Sequence, residues 1–139
     1  EHKGEIGGIT IIDDYAHHPT EIEATLQSAI HYPHNKIWCV FQPHTYTRTR
    51  AFLKDFAKAL SHADNIVLTD IYAAREQDPG DISSIDLKRE LELIGKEVYY
   101  SPSFDEIENY LLLNCTNGDL LITMGAGDVV SIGESLLGM

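Results

Sequence analysis

The first segment that could carry chemistry is residues 13–19, which read Asp-Asp-Tyr-Ala-His-His-Pro. A simple strand-to-helix connection needs a few turn residues and a cap, not two carboxylates, two imidazoles and a phenol. Adjacent carboxylates followed by paired histidines could hold a divalent metal ion or orient a nucleotide. Alternatively, Asp13 or Asp14 accepts hydrogen bonds from loop amides, and His18 caps the helix that begins at Pro19. We expect a functional segment, because shifted pKa values gather where ionisable groups concentrate.

A second such segment is residues 42–50, Gln-Pro-His-Thr-Tyr-Thr-Arg-Thr-Arg. Thr47 is predicted to be the N-cap of the next helix, with Arg48 and Arg50 in its first turn. The amino end of a helix is partly positive, so a cation there is unfavourable by about 0.3–1 kcal/mol unless an anion joins it. Arg48 and open backbone N–H groups are therefore predicted to receive a carboxylate or phosphate. The alternative is an arginine side chain that extends into water.

Two further segments are predicted at the same edge of the fold. Residues 125–128, Gly-Ala-Gly-Asp, resemble a shortened phosphate-binding turn, although close backbone packing or a tight helix start explains the glycines equally well. Residues 70–81 are a long acidic connection that either folds over a ligand or makes a solvated excursion. His44 is predicted at this edge with the two histidines of residues 13–19, and the other histidines are predicted to be solvated: His2, His31, His34 and His62.

Short apolar runs that alternate with helical segments must position these residues. Strands are predicted at residues 9–12, 37–41, 66–69, 98–100 and 120–123, after a short leading strand that ends in a turn at residues 5–8. Helices are predicted at residues 19–32, 85–94, 104–114 and 128–137, and the helix that follows Thr47 is predicted to carry an apolar stripe over residues 52–60. This alternation indicates an α/β fold with a parallel sheet covered by helices on both faces. Right-handed crossovers then place every strand-to-helix loop at one edge, where open α/β sheets bind ligands.

The composition predicts one soluble domain. Its 139 residues are 43% hydrophobic, enough for one sizeable core. Ten Lys and Arg residues against 22 Asp and Glu give a net charge of −12, which disfavours nucleic acid and anionic membranes as partners. No apolar run approaches the roughly 18 residues that span a bilayer, and the first residues are not a signal peptide. Cys39 and Cys115 are predicted to be buried free thiols, which indicates a reducing cytoplasm.

Three segments taken together identify a family. Residues 13–22, residues 41–49 (Phe-Gln-Pro-His-Thr-Tyr-Thr-Arg-Thr) and residues 123–128 resemble motifs of the Mur ligases, in order and over essentially the whole chain. The second segment is most similar to the members that add L-alanine to UDP-N-acetylmuramate. The resemblance implies that residues 1–139 are the C-terminal domain of a cytoplasmic, three-domain ligase of peptidoglycan synthesis, without its N-terminal UDP-binding and central ATP-binding domains. It also implies a three-layer, Rossmann-like α/β domain with a mostly parallel sheet, which closes over the central domain.

The resemblance also implies a reaction and part of a site. Members of the family use ATP and Mg²⁺, bound mainly by the central domain, to phosphorylate the muramate carboxylate. The amino group of L-alanine then attacks the acyl phosphate to form an amide. Asp14 matches the acid that is expected to meet the ATP ribose, while Tyr15 and His17 match residues that line the reacting end of the substrates. The resemblance requires no protein nucleophile, general base or metal ligand from this chain.

The second segment matches the part of the family that handles the incoming amino acid. His44 and Arg48 match its motif, in which Arg48 would grip the L-alanine carboxylate. Many members have an additional arginine at the position of Thr45, so a clamp with a single arginine is expected here.

Two other interpretations stay open. A metal-dependent phosphoesterase would bind two metal ions through Asp13, Asp14, His17 and His18. A non-catalytic nucleotide-binding module would instead bind a nucleotide tightly by itself. Metal content and nucleotide affinity separate these interpretations from the ligase.

Overall fold

Six strands form a single sheet in the computed structural model, which describes residues 1–139. They are β1 (His2–Ile6), β2 (Ile9–Asp14), β3 (Ile37–Phe41), β4 (Asn65–Leu68), β5 (Val98–Tyr100) and β6 (Leu120–Met124). Their order across the sheet is β1-β2-β6-β3-β4-β5. Only β1 and β2 pair antiparallel, through a turn at Gly7 and Gly8, whose φ angles of 56° and 80° favour glycine. The sheet is therefore mostly parallel.

Six helices complete the chain: α1 (Pro19–Ala29), α2 (Tyr46–Ala51), α3 (Leu53–Leu60), α4 (Ser84–Leu93), α5 (Phe104–Asn114) and α6 (Val130–Leu136). The longest have 11 residues, and none is long and apolar enough to cross a membrane. The second predicted helix is two helices, because the backbone of Phe52 leaves the helical region at φ −120° and ψ 25°. Helix α1 ends three residues earlier than predicted, since the residue before Pro33 is disfavoured in helical conformation.

The core is divided into two layers by the sheet. All five residues of β3 are buried, and successive side chains of this strand point to opposite faces. One apolar cluster joins the sheet to α1, α3 and α4, and the other joins it to α5 and α6. This arrangement confirms the prediction of a three-layer α/β fold. Ile94 lies just beyond α4 and is 54% exposed, so the predicted third helix ends one residue early and Ile94 lies outside the core.

The carboxyl ends of three adjacent strands bring their loops together. Asp14 and Phe41 both pair with Met124, because β6 lies between β2 and β3. The amide of Gly125 donates to the Asp14 carbonyl at 3.1 Å, and the amide of Gln42 donates to the Met124 carbonyl at 3.0 Å. The loops after β2, β3 and β6 therefore begin side by side at one edge of the sheet.

Candidate functional site

A row of four rings lies along this edge. The ring centroids of Tyr15 and His17 are 5.4 Å apart, those of His17 and His44 are 5.5 Å apart, and those of His44 and Tyr72 are 5.6 Å apart. The structure therefore brings together three residues predicted from the sequence, although His44 lies 27 positions after His17 in the chain. Tyr72 was not predicted, because it belongs to a loop without periodicity.

The start of α1 fixes the first two rings. The Nδ1 of His17 donates to the Tyr15 carbonyl at 3.0 Å, which leaves Nε2 of a neutral ring as an acceptor. The amides of His17 and His18 both donate to Oε1 of Glu21 at 3.2 Å, and these bonds lower the pKa of Glu21. Glu21 thus satisfies amides at the helix start, where Pro19 needs no partner. Glu21 was not predicted as part of the site, although its spacing from His18 is that of a capping box.

The two adjacent aspartates point to opposite sides of the sheet. Asp14 accepts from the Ala16 amide at 2.8 Å and from the Thr25 hydroxyl at 3.0 Å. Asp13 accepts from the Thr123 hydroxyl at 2.7 Å, and its partial burial raises its pKa. The alternative in which an aspartate satisfies a loop amide is thereby confirmed for Asp14.

The metal-dependent phosphoesterase does not fit this geometry. It requires Asp13, Asp14, His17 and His18 to surround metal ions, but no three His, Cys, Asp or Glu side chains form a group that could hold one. The two carboxylates diverge and the His17 ring is bonded to a carbonyl. We therefore abandon that interpretation.

The start of α2 differs from the prediction. Thr45, not Thr47, is the N-cap, and its Oγ1 accepts from the Arg48 amide at 3.3 Å. Oε1 of Glu76 accepts from the amides of Tyr46 and Thr47 at 2.6 and 3.1 Å. The predicted external anion at these amides is therefore wrong, because a carboxylate of the chain itself occupies them.

The two arginines of α2 have different surroundings. Arg50 lies in the last turn, is about half exposed and pairs with the carboxylate of Asp81. In Arg48, the Nη1 atom is shielded from solvent and has no hydrogen-bond partner. The same is true of Nδ1 in His44, the ring next to His17. Buried polar atoms without partners are rare and costly, so two of them in one segment point to a ligand.

Electrostatics keep the His44 ring neutral. Burial lowers the pKa of His44 below its ordinary value of 6.5, and the neighbouring His17 and the Arg48 guanidinium lower it further. Only Glu76 acts in the opposite direction. A neutral imidazole beside a guanidinium offers one positive charge and a neutral hydrogen-bonding group, a combination suited to a carboxylate.

The backbone of Thr45 is held in an unusual conformation. Its φ of 65° and ψ of 148° are rare for a β-branched residue and cost about 1–3 kcal/mol. Its amide donates to the Tyr72 carbonyl at 2.8 Å, and its own carbonyl accepts from the Thr49 hydroxyl at 2.7 Å. These bonds offset the strain and set the direction in which α2 begins.

The acidic connection packs against the neighbouring loop. The Tyr72 amide donates to the Pro43 carbonyl at 2.8 Å, and His44 forms an isolated parallel bridge with Tyr72. Ile71 and Ile82, near its ends, are each only 8% exposed. The connection therefore contacts the loop after β3 through Tyr72, whereas residues 77–81 are exposed to solvent.

The glycines after β6 are explained by close packing. A Cβ on Gly125 would lie 2.9 Å from the Gln42 carbonyl oxygen. A Cβ on Gly127 would lie 2.5 Å from Oε1 of Gln42 and 2.7 Å from the Tyr72 ring. Close backbone packing therefore accounts for both glycines, and their presence does not require a bound phosphate.

Fold and site together define a class: a three-layer α/β domain with a guanidinium and a neutral imidazole at one edge of its sheet. Within that class the chain belongs to the Mur ligases. Residues 1–127 match the family described as Mur ligase, glutamate ligase domain. This finding confirms the resemblance drawn from the three sequence segments.

Individual relatives agree with this assignment. The chain is 71% identical over 137 residues to the UDP-N-acetylmuramate--L-alanine ligase of Lachnoclostridium phytofermentans, a match that covers 99% of the chain and 29% of that ligase. It superimposes on the UDP-N-acetylmuramate-alanine ligase of Thermotoga maritima with a TM-score of 0.74 and 32% identity, covering 95% of the chain and 26% of that structure. A murein peptide ligase of Psychrobacter arcticus shares the fold, with a TM-score of 0.80, 22% identity and coverage of 99% and 28%. The chain spans about 30% of the length of such relatives.

Proposed function

We propose that this chain is the C-terminal, amino-acid-binding domain of a cytoplasmic ligase that joins L-alanine to UDP-N-acetylmuramate with ATP. Family membership and the 71% identical alanine ligase support the activity. The observation that carries the site is the pair of buried, unpartnered atoms, Nη1 of Arg48 and Nδ1 of His44. A bound carboxylate would satisfy the guanidinium, and His44 would donate to or accept from the same amino acid.

In this proposal the chain positions charges and supplies no nucleophile. The muramate carboxylate is phosphorylated by ATP, and the L-alanine amine attacks the resulting acyl phosphate, which releases phosphate. Arg48 holds the L-alanine carboxylate, so that the amine is presented in one orientation. Tyr15 and His17 line the reacting end at the same row of rings. Asp14 is proposed to meet the ATP ribose from the end of β2.

In this proposal, Mg²⁺, most of ATP and UDP-N-acetylmuramate are bound by the other two domains of the ligase. This chain offers no group of side chains that could hold Mg²⁺, so we propose that Mg²⁺ and most of ATP are bound by the central domain. UDP-N-acetylmuramate would be held mainly by the N-terminal domain. Closure of this domain over the central domain would complete the site only after all substrates are bound.

A chimaera tests the proposal. This chain replaces the matching segment of the L. phytofermentans ligase, and phosphate release is measured with UDP-N-acetylmuramate, ATP, Mg²⁺ and L-alanine. Release that depends on L-alanine, and is lost when this chain is omitted, is the expected result. In the chimaera, Arg48→Ala should raise the KM for L-alanine by at least about tenfold, the loss of one charged contact.

Arg50→Ala is the matched control, since Arg50 belongs to the same helix but pairs with Asp81 at the surface. It should leave the KM for L-alanine within about twofold, as expected of an exposed ion pair. An unchanged KM for L-alanine in Arg48→Ala would refute the carboxylate clamp.

A further inference from the structure

Glu76 is the one carboxylate that contacts the backbone of the loop carrying His44 and Arg48. It lies in the connection between β4 and α4, about thirty residues from the amides it binds. Its Oε1 accepts from the Tyr46 amide at 2.6 Å and from the Thr47 amide at 3.1 Å. Hydrogen bonds from Thr47 and Tyr46 lower the pKa of Glu76 below 4.5, so the carboxylate is ionised at neutral pH.

Three consecutive amides at the start of α2 thus depend on two acceptors. Glu76 takes the amides of Tyr46 and Thr47, and Thr45 Oγ1 takes that of Arg48 at the longer distance of 3.3 Å. Without Glu76, the first turn would be held by the hydroxyl of a residue with strained backbone. The direction of the Arg48 side chain depends on this turn.

We propose that Glu76 is a positioning residue for Arg48 and His44 in amino-acid binding. This inference rests on the proposed function, since it assigns Glu76 to the site that would hold the L-alanine carboxylate. Glu76 acts through the backbone of α2 and not through contact with the substrate. It replaces the ligand anion at the helix amides, so that Arg48 alone provides the positive charge for the carboxylate.

The first test is Glu76→Ala in the active chimaera. Loss of a charged acceptor from two amides should raise the KM for L-alanine about tenfold. The KM values for ATP and UDP-N-acetylmuramate should stay within about twofold, because the Glu76 carboxylate accepts only from amides at the start of α2. The kcat at saturating L-alanine should change much less than the KM for L-alanine. A general loss of folded structure would instead lower the apparent kcat without a selective rise in the KM for L-alanine.

Conservative variants separate positioning from charge. Both amides bind the same oxygen of Glu76, so Glu76→Gln keeps an acceptor and should recover most of the affinity for L-alanine. Glu76→Asp is one methylene shorter, cannot reach both amides with the loop in place, and should fall between Gln and Ala. If Glu76→Ala does not fold, the KM values for L-alanine of Glu76→Gln and Glu76→Asp still test the inference, because Glu76→Asp should have the higher KM.

Asp78→Ala is the matched control, because Asp78 lies in the same connection and its carboxylate accepts only from the Gly80 amide. It should leave the KM for L-alanine unchanged. If Glu76→Ala behaves like Asp78→Ala while Arg48→Ala raises the KM, the role of Glu76 is refuted and the proposed site stands. If neither Glu76→Ala nor Arg48→Ala raises it, the proposed site itself is refuted. A parallel rise in all three KM values also refutes positioning.

Discussion

Nε2 of Gln42 donates to Oδ1 of Asp128 at 2.8 Å and so joins the loop after β3 to the loop after β6. The same amide group accepts from the Val129 backbone N–H at 3.2 Å through its Oε1. Gln42 is only 5% exposed, and both of its polar atoms are occupied within the chain. It therefore stabilises the edge of the sheet, whereas His44, two residues later, keeps an unpartnered nitrogen.

We expect Gln42→Leu to destabilise the domain. Leucine keeps much of the side-chain volume but leaves the Asp128 carboxylate and the Val129 amide without their partner, at a cost of about 1–3 kcal/mol. Urea denaturation of the 139-residue chain measures the free energy of unfolding. Gln27→Leu, at an exposed position of α1, is the control and should change that free energy by less than about 0.5 kcal/mol. Equal effects of the two substitutions would contradict the role of Gln42.

Asp119→Ala should be more damaging, at the opposite end of the sheet. Asp119 is 2% exposed and accepts from Trp38 Nε1 at 3.0 Å and from the amides of Lys36 and Thr116 at 3.2 and 2.9 Å. Alanine leaves these buried donors unpaired, and we expect a loss of at least about 2 kcal/mol in the free energy of unfolding. Emission of the single tryptophan reports unfolding directly.

Glu97→Ala provides the comparison, since Glu97 is an exposed acid just before β5. It should unfold at the same denaturant concentration as the wild type. If Asp119→Ala and Glu97→Ala had the same denaturation midpoint, the donors around Asp119 would form hydrogen bonds with water in the variant, and the expected destabilisation would be refuted.

Much of the fold could be predicted because its signals are local. The apolar run of β3 and the helical period of α5 were predicted with the observed bounds, 37–41 and 104–114. Parallel strands share a carboxyl edge, so the loops carrying His17 and His44 could be assigned to one site before any coordinates. The shared edge predicts that these two loops are neighbours, but it does not predict which of their side chains are in contact.

The rest of the site depends on the connection between β4 and α4, whose path could not be predicted from any periodic pattern in the sequence. Thr45 and Thr47 are equally good N-cap residues by type, and the choice is made by tertiary contacts with Tyr72 and Glu76. The predicted anion receptor followed from placing open amides beside Arg48. It is wrong at those amides because the anion that fills them is Glu76, which lies far along the chain in an aperiodic segment.

Asp14→Asn tests the proposed contact with the ATP ribose. Asparagine keeps Oδ1 as an acceptor for the Ala16 amide, while its Nδ2 can donate to the Thr25 hydroxyl, so the fold should persist. In the chimaera we expect the KM for ATP to rise several-fold and the KM for L-alanine to change little. Thr25→Val removes only the bond between Thr25 and Asp14. If it reproduces the whole effect on ATP, Asp14 acts by shaping the loop and the ribose contact is refuted.

The lowered pKa of His44 predicts a specific loss of stability in mild acid. Burial, His17 and Arg48 hold that pKa below the ordinary value of 6.5, so the unfolded chain binds a proton at His44 more readily than the folded chain. This difference in proton binding leaves the free energy of unfolding unchanged above pH 6.5 and lowers it increasingly as the pH falls below that value. His44→Asn removes the titrating imidazole, so the free energy of unfolding should fall less between pH 7 and pH 5 in the variant than in the wild type. His31→Asn, at an exposed position, should retain the wild-type fall. If wild type and His44→Asn lose the same free energy over that range, the ring of His44 is not held neutral by its neighbours.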